Sequence, residues 1–304
     1  MKIVRFCVPG FSYEAIGYLE GETVIDFSRG MRAFRATFPQ RHRASSSEFF
    51  SIQAMLSEEG LFAPELFRNV REYIADHGLE EDLTIPEPKL LAPLARPPRI
   101  IALGLNYAAH AAETGKKPPK QPIFFIKAST AVIGPEESVV CPKGVGRIDH
   151  EVELAAIVGK GGRNITRKKA PRHIAGYTIL NDVTARDMQA ADMAASRPWF
   201  LSKSFDTFAP MGPCITLPDE IAEPAELALS LRVNGETKQE SNTRDLVFSI
   251  SEIIHRLSRH LTLEPGDVIA TGTPSGISPV EPGDVMEAEV ERIGVLRNPV
   301  VAGR

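Results

Sequence analysis

The sequence predicts a β-rich α+β domain preceded by a small N-terminal α+β domain, and three observations carry that reading. Short apolar runs of strand length recur from Arg99 to about Val300. Glycine–proline turns break them at Glu264-Pro265-Gly266-Asp267, Thr273-Pro274-Ser275-Gly276 and Glu281-Pro282-Gly283-Asp284. Strands and helices do not alternate regularly, which argues against a Rossmann sheet.

Taken in order, Lys2 to Val8, Ala15 to Leu19 and Thr23 to Phe27 read as strands, with Gly21 in the turn before the third. Ser47 to His77 is helical in pattern. Phe49, Phe50, Ile52, Met55 and Leu56, then Leu66, Val70 and Ile74, make an apolar stripe interrupted by Gly60 and Pro64. Leu79 to Pro98, rich in proline and acid, reads as a linker and places a boundary near residue 90. Residues 1–90 are then the small domain with its linker, and 91–304 the larger β-rich domain. Within the latter the expected strands are Ile100 to Gly104, Ile123 to Lys127, Glu151 to Val158, Tyr177 to Asn181, Leu227 to Val233, Asp267 to Thr271 and Asp284 to Val290. One helix is expected from Ser249 to Leu261, burying Ile250, Ile253, Ile254, Leu257 and Leu261. Asn234-Gly235 is a hairpin signal.

Composition narrows the function classes. With 304 residues, 43% hydrophobic and 24% charged, the chain can bury a sizeable core. A net charge of −4 and the lack of a basic block exclude nucleic acid as a partner. No apolar run reaches membrane-spanning length, and the first residues lack the apolar core of a secretory signal. Cys7, Cys141 and Cys214 are scattered and odd in number, giving neither a disulfide framework nor a zinc pattern. A cytoplasmic enzyme with reduced thiols is expected. No GxGxxG or Walker A pattern points to a nucleotide.

The chemistry is concentrated around Glu151 and Glu153. They open an apolar run that ends at Gly159. Residues two apart on a strand face the same side, so both carboxylates point to one place. Asp182 closes another strand-like run, Ile174 to Asn181. Three carboxylates from two strands repel one another in a half-dry site unless a cation sits among them. Such an oxygen-only set suits Mg²⁺ or Mn²⁺ with positions left for water or substrate. For Glu-x-Glu alone, a polar strand face in water is the plainer reading.

Five local patterns then come in order: Gly104-Leu105-Asn106-Tyr107 to His110-Ala111-Ala112-Glu113; Asp149-His150-Glu151-Val152-Glu153-Leu154; Asn181-Asp182-Val183-Thr184-Ala185-Arg186-Asp187-Met188-Gln189; Lys203-Ser204-Phe205-Asp206-Thr207-Phe208; and Gly266-Asp267 to Thr271-Gly272-Thr273-Pro274-Ser275-Gly276. Each is weak alone. Together, over about residues 96 to 300, they closely resemble the fumarylacetoacetate hydrolase family. The resemblance is to bacterial members with a small N-terminal domain, and the His-x-x-Glu dyad is similar to the acylpyruvase branch.

The resemblance implies a mixed β-roll or barrel-like fold, a homodimer, and Glu151, Glu153 and Asp182 as ligands of Mg²⁺ or Mn²⁺, sometimes Ca²⁺. It implies His110 and Glu113 as the water-activating pair. Residues three apart on a helix are neighbours, so an acid there can orient an imidazole. The polar segment Thr114 to Lys120 then reads as a lid. Lys203 matches the family's active-site lysine, although a solvated surface lysine is the default for that residue type. Gln189 is expected to bind a substrate oxygen, or to be a surface glutamine of a helix. Thr273 lies in a turn whose N–H groups can nest a carboxylate. Tyr107 lines the pocket or belongs to the core. Arg186 is expected to pair with nearby acids, His150 to face away from the ligands, and His255 and His260 to serve surface or packing roles.

The implied activity is that of a hydrolase acting on carbon–carbon bonds in ketonic substances, with a small 2,4-dioxo acid as substrate. Decarboxylation, isomerisation and sugar-acid dehydration use the same metal–enolate platform in the family and form the alternative. A non-catalytic binding protein on this fold is the third reading.

Overall fold

The computed structural model describes residues 1–10, 14–38, 51–58, 61–113, 115, 117–221 and 226–303. The architecture follows from one strand, Val152–Val158, which is apolar on both faces beyond its acids and buried throughout. Such a strand needs cover on both sides. Val152, Leu154, Ala156 and Val158 point into one hydrophobic core. Ala155 and Ile157 point into a second.

The first core lies between the large sheet and a five-stranded sheet in the order Glu236–Asn242, Ala228–Val233, Val285–Val290, Gly294–Ala302, Val139–Cys141. The helix Ile250–His260 adds Ile250, Ile253, Ile254 and Leu257 to it. Ser249 caps that helix by accepting from Glu252 N–H. The second core is filled from the N-terminal helices Phe27–Thr37, Ile52–Ser57 and Pro64–Asp76, through residues such as Met31, Met55 and Phe67.

The large sheet runs in the order Thr84–Ile85, Thr23–Asp26, Glu14–Glu20, Lys2–Cys7, Ala209–Thr216, Ile174–Asn181, Val152–Val158, Val268–Ala270, Ile100–Gly104, Ile123–Lys127. It is mixed, because Val268–Ala270 and Ile100–Gly104 are parallel while most neighbours are antiparallel. The β-rich α+β class holds, with 36% strand against 27% helix. The barrel-like closure does not. Thr84–Ile85 and Ile123–Lys127 end the sheet as edges. Helices and a second sheet cover its faces, so burial does not require the sheet to close on itself.

Several expected strands stand almost where the pattern puts them, among them Ile100–Gly104 and Ile123–Lys127. Others were hidden. Ala209–Thr216 carries Pro210, Gly212 and Pro213, yet it bridges the N-terminal strands to the central ones. Gly294–Ala302 contains Pro299 and also pairs on both sides. The helix Phe27–Thr37 follows directly on a strand, capped by Asp26, which accepts from Arg29 N–H at 2.8 Å. Of the expected apolar stripe, Phe49, Phe50 and Gly60 lie outside the described residues. Pro64 does not interrupt a helix but begins one.

The proline-rich stretch read as a linker is tied into the fold. Lys89–Leu91 pairs with Lys2–Cys7, and Ala92 and Leu94 are buried. Its prolines sit beside the short strand and leave the ladder intact. No helix among the described residues is long and apolar enough to cross a membrane.

Close packing of the central strands gives a first prediction. A Cβ on Gly176 would stand 2.5 Å from Ile215 Cγ2 and 2.6 Å from the carbonyl oxygen of Thr216. Backbone cannot yield as a side chain does, so Gly176→Ala should destabilise the protein by about 1–3 kcal/mol. A thermal melt unchanged from wild type would contradict that packing.

Candidate active site

Strand parity delivers the acids to one place. Glu153 stands opposite Leu180 in the ladder, and Asp182 N–H donates to the carbonyl of Glu151 at 2.8 Å. Glu151, Glu153 and Asp182 are all buried, and one oxygen from each lies within 4.8 Å of the others. Asn181 secures the crossing by accepting from Glu151 N–H at 2.8 Å.

Three cations surround this cluster. Lys203 Nζ donates to Glu151 Oε2 at 2.8 Å and to Asp182 Oδ2 at 2.5 Å. Lys127 Nζ donates to Asp182 Oδ1 at 2.5 Å and to the carbonyl of Val183 at 3.1 Å. Arg186 donates to Glu151 Oε1, to Asp149 Oδ2 at 2.7 Å and to Gln189 Oε1 at 2.5 Å. It is thus a partner of nearby acids, as expected.

Their fields act unequally. Burial pushes the Glu151 carboxyl up, but Lys203, Arg186 and His110 together hold it well below the usual range. Glu153 moves the other way: burial raises it, and the charges of Asp182 and Glu151 raise it further. Burial lowers the Lys127 ammonium more than Asp182 restores it. Burial also disfavours the Lys203 ammonium, but Asp182 and Glu151 outweigh it and raise that group.

Among the described residues, Glu153 is the acid of the three without a paired cation. Its Oε2 accepts from Gly272 N–H at 2.7 Å, and its Oε1 is buried with no hydrogen-bond partner among the described residues. An orphaned buried carboxylate oxygen beside two others fits a hard divalent cation, and the all-oxygen donor set suits Mg²⁺ or Mn²⁺.

A small cavity of about 60 Å³ opens beside the acids. His110, Glu151, Arg186, Gln189, Lys203 and Thr273 supply its polar lining. Phe125 and Trp199, edge to face at 5.7 Å, form an apolar wall, and Lys203 Nζ lies 5.0 Å from the Phe125 ring centre. The dyad forms on the helix Ala108–Glu113: His110 Nδ1 lies 3.1 Å from Glu113 Oε2. Glu113 Oε1 accepts from Gly276 N–H at 2.9 Å. Thr114 and Lys116 of the expected lid lie outside the described residues.

The structure thus gathers Glu151, Glu153, Asp182, His110, Glu113, Lys203, Gln189 and Thr273. Tyr107 is different. It packs in the hydrophobic core, bridged to Leu246, and its hydroxyl has no hydrogen-bond partner among the described residues. Burial, then the charge of Glu153, pushes its phenol far up. Lys127 escaped the sequence reading, although a lysine closing the apolar run Ile123 to Lys127 carries the same signal as Asp182. His150 faces away from the acids, as expected, and His255 Nδ1 contacts the carbonyl of Ile165 at 2.7 Å.

The comparisons agree with this geometry. The family model for the fumarylacetoacetate (FAA) hydrolase C-terminal domain matches residues 99–301. The chain belongs to the fumarylacetoacetate hydrolase family. Within that family it is similar to the mitochondrial oxaloacetate tautomerase Fahd2a of Rattus norvegicus, 43% identical over 69% of each chain. Among solved structures it resembles maleylpyruvate hydrolase from Sphingobium sp. SYK-6 in complex with manganese(II) and pyruvate. That match has 32% identity and a TM-score of 0.75, and covers 100% of both chains. It also resembles the 2-hydroxyhepta-2,4-diene-1,7-dioate isomerase of Mycobacterium marinum, at 29% identity and a TM-score of 0.74 over 99% of this chain and 98% of that one. The fumarylacetoacetate hydrolase family is thus one of enzymes, spanning hydrolases, isomerases and a tautomerase.

The raised Glu153 carboxyl has a consequence for stability. Between the ordinary carboxylate range of an unfolded chain and its raised folded value, the folded state binds the extra proton. Chelator-treated protein should therefore lose stability as pH rises through that window. At pH 7, Glu153→Gln should melt higher than wild type in chelator, by roughly 2–4 °C per kcal/mol recovered. The gap should shrink towards pH 4 and reverse when Mn²⁺ is added. A variant that melts lower in chelator would show Glu153 to be compensated already.

Proposed function

We propose that this chain is a divalent-metal-dependent hydrolase that cleaves the C3–C4 bond of a 2,4-dioxo acid, an acylpyruvate. The products are pyruvate, or a substituted pyruvate, and a carboxylic acid. One observation carries the reading: the imidazole of the His110–Glu113 pair lines the same cavity as Glu151 and Lys203. A carboxylate only accepts, so Nδ1 holds the ring proton and Nε2 is the basic nitrogen.

In this reaction Nε2 takes a proton from water, and the water oxygen adds to C4. The C3–C4 bond then breaks, its electron pair leaving as pyruvate enolate, and C3 is protonated. Lys203 counters the negative charge that develops on the enolate oxygen. Gln189 receives Arg186 on its Oε1, so its Nε2 is left to donate to a substrate oxygen. The Thr273 turn takes the carboxylate. Glu151, Glu153 and Asp182 would hold a divalent cation, which would supply Lewis-acid stabilisation of developing negative charge.

A second reading, oxaloacetate tautomerisation, is favoured by the identity to the rat tautomerase. It moves a proton between C3 and an oxygen, which His110 Nε2 can do without delivering water to a carbonyl. The proposal also takes the enzyme as a cytoplasmic homodimer. Free Cys7, Cys141 and Cys214 support the compartment, and exposed Ile126, Phe200 and Leu201 near the cavity support the dimer.

His110→Ala should retain Mn²⁺ binding by calorimetry but lose acylpyruvate hydrolysis by about a hundredfold or more. Near-normal turnover would remove His110 from the mechanism. Glu113→Gln should depress acylpyruvate cleavage more than any oxaloacetate reaction. Inert acylpyruvates beside rapid oxaloacetate tautomerisation in the wild type would replace the first reading by the second.

A further inference from the structure

Gln239 stands directly behind the cavity, buried and with its amide fully engaged. It comes from the Glu236–Asn242 strand of the five-stranded sheet, so it reaches the site from a different layer than the acids do. Its Nε2 donates to Thr273 Oγ1 at 2.8 Å and to the carbonyl of Pro274 at 2.9 Å. A carbonyl only accepts, which fixes that end of the amide as nitrogen.

The other end follows. Gln239 Oε1 accepts from Val152 N–H at 3.1 Å and lies 3.0 Å from His150 Nδ1. His150 Nδ1 therefore carries the proton, and its Nε2 accepts from the hydroxyl of Ser278 at 2.8 Å. Thr273 Oγ1, already accepting from Gln239, donates to the carbonyl of Val152 at 2.9 Å. The bonds run one way, from Ser278 through His150, Gln239 and Thr273 to the backbone of Val152.

That polarity decides what Thr273 can offer. Its hydroxyl proton is committed to Val152 and is not available to a substrate carboxylate. The turn instead presents the Thr273 N–H, for which the described residues provide no acceptor. Its neighbours are taken: Gly272 N–H donates to Glu153 and Gly276 N–H to Glu113.

We propose that Gln239 is a positioning residue that holds the Thr273–Pro274 segment so that the Thr273 N–H meets the carboxylate of a bound 2-oxo acid. The inference rests on the reading of this site as a 2-oxo acid site. The metal-facing part of the turn is anchored separately, because Thr271 donates to the carbonyl of Leu154 through both its N–H, at 3.0 Å, and its hydroxyl, at 2.8 Å. Gln239 also touches the metal strand through Val152 N–H, but the Glu151 and Glu153 carboxylates are held by Lys203, Arg186 and Gly272 N–H, so its loss bears on carboxylate affinity far more than on metal affinity.

Trp199 is the only tryptophan of the chain and lines the cavity, so its fluorescence reports occupancy without turnover. Mn²⁺-loaded full-length protein is titrated with pyruvate, and Mn²⁺ affinity is measured by calorimetry. Gln239→Met should raise the pyruvate Kd roughly tenfold, the scale of one hydrogen bond's misplacement, with Mn²⁺ affinity within about twofold of wild type. Thr273→Val breaks the same bond from the other side and should raise the pyruvate Kd similarly. If Gln239→Met does not fold, wild-type pyruvate affinity in Thr273→Val still overturns the proposal. The double variant should be little worse than either single one, since both break the Gln239–Thr273 bond on which the turn depends. Wild-type pyruvate affinity in the single variants overturns the proposal, as do additive effects or a parallel loss of Mn²⁺. A wild type that binds Mn²⁺ but not pyruvate overturns the 2-oxo acid reading itself, and this inference with it.

Discussion

Like charge packed out of water is the constraint on which the rest of the structure depends. Glu151, Glu153 and Asp182 lie within 4.8 Å of one another at the buried end of a sheet. Leaving one buried charge uncompensated costs about 3–5 kcal/mol in ordinary proteins. The fold meets that cost with Lys127, Lys203 and Arg186, each drawn from a different segment, and Arg186 is in turn steadied by Asp149. Among the described residues, only Glu153 of the three acids has no cation of its own. The same closeness of like charge suits the site to a small doubly charged ion.

Two cores make that burial possible. If the Val152–Val158 strand were covered on one face only, either its aliphatic residues or its acids would meet water. With the second sheet on one side and the N-terminal helices on the other, both sets are enclosed. The N-terminal segment therefore takes part in the fold of the site without lending it any of the catalytic candidates.

What was legible in the sequence was local. Parity places Glu151 and Glu153 on one side, and spacing of three brings His110 to Glu113; both rules need only a few residues of chain. The charge partners are not local. Lys127 meets Asp182 across 55 residues and Gln239 meets Thr273 across 34, and no periodicity encodes such distances. Ala209–Thr216 failed for another reason. Its prolines and glycine resemble a loop, and only pairing with strands remote in the chain makes it one. Tyr107 shows the converse, a residue within a recognised motif that the fold spends on packing.

The turn from Gly272 to Gly276 touches both halves of the chemistry, gripping Glu153 through its first N–H and Glu113 through its last. The span between metal acids and dyad is therefore ruled by peptide length rather than by rotamers. Gly276 cannot give way, since a Cβ there would stand 2.0 Å from the carbonyl oxygen of Lys238. Insertions in this segment would separate base from acids, whatever residues they contained. Substrate range is then free to vary at the apolar part of the cavity lining, where Phe125, Met193 and Trp199 can change size without altering that ruler.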